Sequence, residues 1–172
     1  MSRPQPSEYA PYYGKYIDLV PEEDIVSTLR TQVAATLAFL SQIPEEQAGV
    51  CHPPYTWTAR QVVSHLCDCE RVFGYRALRF ARGDETPLPA FDEELYAQTS
   101  GAGDCSLSTL ANEFAAIRNS HVCFFTNLPA EAWDRVGAAN NTPMSVRALA
   151  YVLVGHERHH GGILRKRLAL GA

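Results

Sequence analysis

No stretch of this sequence approaches the roughly 20 consecutive apolar residues that a helix needs to cross a bilayer. The opening residues, MSRPQPSEYAPYYGKY, lack the apolar centre of a secretion signal, so a cytoplasmic location is expected. Basic charge is scarce as well. The formal net charge is -4 with both signs interspersed, whereas nucleic-acid binding calls for a concentrated basic surface. The densest cationic run, Arg165-Lys166-Arg167, suits the negative end of a last helix. Neither nucleic acid nor membrane is therefore expected as a partner. Strand-like alternation, internal repeats, low-complexity tracts, G-x-S-x-G and C-x-x-C are all missing. The five cysteines, an odd number without a signal, read as free thiols. Cys67 and Cys69 would point about 200° apart on a helix, so they cannot share an ion as a knuckle does.

What is present is helical periodicity, in four segments of a 172-residue chain that fits one domain, with a core over about residues 21–168. The first, near Glu22–Gln42, carries Val26, Leu29, Val33, Leu37 and Leu40 on one face. The second opens with Thr58 and Gln61 as a capping box and continues to about Arg82, striped by Val62, Leu66, Cys69 and Phe73. The third follows Ser106 or Ser108 and stops before Pro129; its stripe includes Phe114, Ile117 and His121. The fourth covers about Ser145–Leu168, with Leu149, Leu153, His156, His160 and Ile163 or Leu164 inward. The connection over residues 82–105 is far longer than a bundle turn requires. It can carry the chain from end to end, so the expected fold is all-α, an up-down-down-up four-helix bundle with a long crossover between its second and third helices.

Three of the six histidines fall in HERHH at 156–160. Residues four apart share a helix face about 6 Å from each other, so His156 and His160 can reach one ion. A third ligand must come from another helix, and His65 lies beside the stripe of the second. Spacing alone leaves two readings level: a metal site, or histidines hydrogen-bonded within the core. His159 is about 100° round from His160 and reads as a pocket-rim residue. His52, in a proline-rich loop, reads as surface. With the middle helices parallel, His121 falls roughly 12 Å beyond the level of His65, too far to share an ion.

Four motifs occur together: WTARQVVSHLCDCER, TPLPAFDEELY, LANEFAAIRNS and SVRALAYVLVGHERHHGGIL. In this the chain resembles the DinB-like family, which includes the YfiT-type proteins regarded as metal-dependent hydrolases. The resemblance implies the up-down-down-up bundle and a site for one divalent transition metal, zinc or nickel first. It places the ligands on His65, His156 and His160 and implies homodimers. Relatives include transferases and isomerases that use low-molecular-weight thiols.

Two functions follow. The first is a metal-dependent thiol transferase or hydrolase acting on a small molecule, with a small thiol as possible cofactor. Three neutral ligands would leave the ion its charge and an open position. Asp68 could then orient an imidazole or line the cavity, and Glu70 and Glu157 are candidate proton carriers. The second is a metal-binding stress protein without turnover. A cavity beside the ion favours the first; a closed set of four protein ligands favours the second. Tyr12, Tyr13, Tyr16 and Phe91 could cover a dimer interface or pack on their own bundle.

Overall fold

Local signals set the long helices, and their apolar faces then pair them. The computed structural model describes residues 2–169. Its long helices are α2 (Ile25–Leu40), α4 (Ala59–Ala81), α6 (Leu107–Thr126) and α7 (Val146–Ala169). Each start satisfies backbone donors that would otherwise be orphaned. Thr58 and Gln61 close the expected capping box on α4. Asp24 accepts from the Ser27 N–H, which starts α2 three residues later than the periodicity predicts. Ser106 accepts from Thr109 on α6, and the Ser145 hydroxyl accepts from Ala148 on α7.

The neighbours of α4 are α6 and α7, and the same two helices flank α2. Contacts between α4 and α6 advance in the same order: Cys67 meets Leu110, Arg71 meets Glu113 and Gly74 meets His121. Those between α2 and α7 also climb together, Gln32 with Val154, Thr36 with Glu157 and Phe39 with Arg165. Across α4 and α7 the order is reversed, from Trp57 with Arg167 to Phe73 with His156.

Three shorter helices complete the set: α1 (Gly14–Ile17), α3 (Glu45–Ala48) and α5 (Glu93–Thr99). The crossover is thus not a featureless loop. Leu88 within it exchanges hydrogen bonds with Ala138 and Asn140, and Arg76 holds the Pro89 carbonyl. A hairpin that the sequence reading lacks, β1 (Val136–Ala139) against β2 (Thr142–Ser145), precedes α7. Asn140 and Asn141 form its turn at φ 51° and 58°, the left-handed region that asparagine tolerates best after glycine.

The N-terminal segment closes one side of the bundle. Arg3 reaches the carbonyls of Ile17 and Val20, and Glu8 accepts from Ser145 and Arg147. Gly155 makes this possible: a Cβ there would sit 2.0 Å from the Tyr16 carbonyl oxygen. The backbone of α1 therefore lies directly on α7, one residue before His156.

Candidate metal centre

His65 on α4 and His156 and His160 on α7 meet in the interior, with His65 only 6 % exposed. Their ring centroids are 5.0 Å (His65–His156), 4.8 Å (His65–His160) and 4.5 Å (His156–His160) apart. The two Nε2 atoms of His65 and His156 lie 3.1 Å apart. On a tetrahedral ion with ligand bonds of 2.0–2.1 Å, two nitrogens stand about 3.3 Å apart, so the pair is set for a shared cation. Burial is the main cause that pushes His65 down to about 4 and His160 down to about 3; His156 is driven well below its usual range. At neutral pH all three imidazoles are uncharged, the form that binds a metal.

A fourth donor was missed in the sequence. Cys69 Sγ lies 3.6 Å from His65 Nε2, and the ligand atoms of His65, Cys69 and His156 all fall within 4.8 Å of one another. A thiolate and an imidazole on one tetrahedral zinc are about 3.6 Å apart. The donor set therefore fits a borderline-soft divalent ion. The signal was legible: His65 and Cys69 are four residues apart, the spacing that made His156 and His160 stand out. Assigning Cys69 to the apolar stripe hid it. Without a metal, burial is what raises its thiol, so it is protonated in the free protein.

Other candidates sit elsewhere. Asp68 neither touches an imidazole nor lines the cavity; it lies 3.8 Å from Arg71, which also binds Glu113 on α6. His159 does line the cavity, its ring 5.4 Å from that of Tyr16. His121 donates from Nδ1 to Glu70 at 2.9 Å and packs on Gly74, two turns beyond His65. Glu70 and Glu157 are not free proton carriers. Both grip Arg118, which is fully buried, at 2.6 and 2.7 Å, and Thr36 donates to Glu157. Burial works to raise Glu70, but Arg118 and His121 outweigh it and hold it low; for Glu157 burial prevails and raises it.

Beside the histidines opens a cavity of about 550 Å³, within the usual size range of small-molecule sites. The aromatic wall comes from Tyr13, Tyr16, Trp57, Phe73 and Phe91. Of the two roles open to Tyr13, Tyr16 and Phe91, the structure shows packing on their own bundle, while Tyr12 is 56 % exposed. Lys15, Arg76 and Asn140 supply polar groups, so α1 and the hairpin both contribute to this wall. Among the described residues, no helix is long and apolar enough to cross a membrane.

The fold has known counterparts. YfiT from Bacillus subtilis, described as a probable metal-dependent hydrolase with an unusual four-helix bundle topology, superposes with a TM-score of 0.70 at 18 % identity, over 98 % of this chain and 94 % of that one. A mycothiol-dependent maleylpyruvate isomerase superposes with a TM-score of 0.69 at 13 % identity, over 85 % of this chain and 61 % of that one. At such identities the likeness is one of fold. No curated protein matches the chain. A family model, however, matches residues 28–164, from the first turn of α2 to the last turns of α7, and so takes in all three histidines, Cys69 and the crossover. On that match the chain belongs to the DinB superfamily.

Proposed function

We propose that this protein is a metal-dependent enzyme acting on a small molecule, with His65, His156 and His160 holding one divalent ion of the zinc or nickel kind. The observation that carries the reading is the convergence of three uncharged imidazoles, buried His65 and His156 and half-buried His160, on one wall of an open cavity. Such an ion, when bound, supplies Lewis acidity toward an oxygen or sulfur nucleophile. The chain's own contribution is to exclude bulk water with the aromatic wall and to hold the imidazoles in their metal-binding form. Thiol transfer and hydrolysis are both compatible with these parts. Thiol transfer is favoured as the working hypothesis, since a dication with neutral ligands attracts an anionic thiolate. The same reading takes the bundle as up-down-down-up, supported by the matching contact order of α4 with α6 and of α2 with α7.

Cys69 favours a second reading. As a fourth protein donor it would close the coordination shell, and the ion would then stabilise the fold without turnover. Cobalt substitution separates the two. Protein purified without added metal should carry about one ion per chain, and His156→Ala or His160→Ala should remove it. Retention by both variants would end the metal reading. In the cobalt form of the wild type, a sulfur-to-metal charge-transfer band without added thiol, absent in Cys69→Ser, would identify the closed site. A band that appears only on adding a low-molecular-weight thiol supports the enzyme.

A further inference from the structure

Three buried arginines lie in this bundle, and they are compensated differently: Arg167, 3 % exposed, donates to the Trp57 carbonyl and lies over the Tyr55 ring, away from the cavity. Arg118 is 0 % exposed and is clasped by two carboxylates, Glu70 and Glu157. Arg76 is 3 % exposed and forms no ion pair among the described residues. Its Nη2 donates to the Pro89 carbonyl at 2.9 Å and the guanidinium lies beside the Tyr13 hydroxyl, which leaves donors over from the five N–H groups it carries. Its charged carbon lies 5.9 Å from the Phe73 ring and 5.7 Å from the Phe91 ring. A guanidinium removed from water without a counter-ion is costly, and buried arginines are rarely left unpaired. Here the group lines the same cavity as the histidines.

The helix explains the placement. His65, Cys69, Phe73 and Arg76 follow at steps of four, four and three residues, which keeps them on one face of α4. Arg76 thus marks one end of the cavity wall and His65 the other, about 16 Å apart along the helix axis. The long Arg76 side chain reaches back to 5.9 Å from the Phe73 ring, whose centroid is itself 5.9 Å from that of His156, so Phe73 bridges the gap. Glu93 and Glu94 also line the cavity, but both are exposed, and Glu94 accepts from the Trp57 indole. Neither neutralises Arg76.

We infer that Arg76 is the anion-recognising group of this cavity, and that the ligand is a small carboxylate on an apolar body, its carboxylate on Arg76 and its body against Phe73 and Phe91. The inference rests on the proposed metal-dependent site in placing that ligand beside the ion. The planar fork of a guanidinium matches a carboxylate in two parallel bonds, and the flanking rings suit an apolar group. A purely structural tie to Pro89 would use a single donor and show no preference among ligands.

The test is calorimetric titration of the metal-loaded protein with benzoate, phenylacetate and hexanoate, with benzamide as the neutral counterpart of benzoate and inorganic phosphate as the non-planar anion. At least one carboxylate should bind the wild type roughly tenfold or more tighter than benzamide and phosphate do. Arg76→Gln should lose about that factor for the carboxylate alone, and Arg76→Lys should recover part of it. Metal content is measured on the same samples. An unchanged carboxylate affinity in both variants, or no carboxylate binding to the wild type, would overturn the inference while leaving a metal-loaded site intact. Loss of metal in the wild type with an Arg76-dependent carboxylate affinity would instead overturn the metal reading alone. Where Arg76→Gln does not fold, the benzoate–benzamide comparison is repeated on chelator-treated wild type: a preference that survives metal removal belongs to Arg76, and one that vanishes belongs to the ion and overturns the inference.

Discussion

Arg118 shows how expensive this interior is. Two carboxylates and a carbonyl surround a guanidinium closed off from solvent, and His121 binds one of those carboxylates. Removing one member of such a group leaves the others charged, buried and alone. Arg118→Met should therefore cost about 3–5 kcal/mol, read as a fall in the urea midpoint at unchanged slope. Replacing Glu70, Arg118 and Glu157 together by apolar residues of similar size should recover most of that loss. A small effect of the single change would mean that water reaches the network. This network also explains why Glu70 and Glu157 could not be assigned from spacing: both are helical carboxylates with arginines nearby in sequence, yet their partner lies 48 and 39 positions away. Arg158, next to Glu157 in sequence, binds Glu22.

At the scale of elements, one small residue fixes one wall of the cavity. Gly155 lets the backbone of α1 lie against α7, which presents Tyr16 to His156 at 5.1 Å between ring centroids. Gly155→Ala has no flexible side chain to displace, only backbone, so α1 must move. The expected cost is about 1–3 kcal/mol in thermal or urea melts, with a weakened carboxylate site but metal retained on α4 and α7. Full stability in this variant would show that α1 can shift freely. Such a contact is invisible in sequence, where Gly155 reads only as a poor helix former before HERHH. The elements that were legible are those with local chemistry. The Thr58–Gln61 box, the Ser106 cap and the periodic stripes gave α4, α6 and α7 nearly to their ends. The hairpin was not, because Val136-Gly-Ala-Ala is too small-chained to show an alternation. Its one signal was the Asn140-Asn141 pair, a turn dipeptide. The short helix α5 lies within a crossover read as connection alone, although Asp92 caps it through the Glu94 and Leu95 N–H groups.

Across the whole molecule, the histidine cluster couples folding to acidity. An unfolded histidine titrates near 6.5, whereas burial holds His65 near 4 and His160 near 3 in the folded, metal-free chain, and lowers His156 and His159 too. Below pH 6.5 the unfolded chain therefore binds more protons, and stability falls as pH falls. The stabilisation is complete above 6.5 and is lost progressively down to the folded values. For His65 alone the shift corresponds to roughly 3 kcal/mol, a sizeable part of the 5–15 kcal/mol by which domains are stable. Lowered carboxylates such as Glu8, Glu22 and Glu70 add a loss of the same sign, but only below about 4.5. Glu157, raised by burial, works in the opposite sense over its own range. From pH 6.5 to 5 the lowered carboxylates are silent, and the histidines set the slope against the opposing Glu157 and Asp68, both raised by burial. In chelator-treated protein the melting temperature should drop steadily across that interval, and His65→Gln with His160→Gln should flatten the slope. A bound ion competes with those protons for the same nitrogen lone pairs, so the metal-loaded protein should hold its melting temperature to lower pH than the metal-free one. Identical profiles with and without metal would mean that the three imidazoles do not hold the ion.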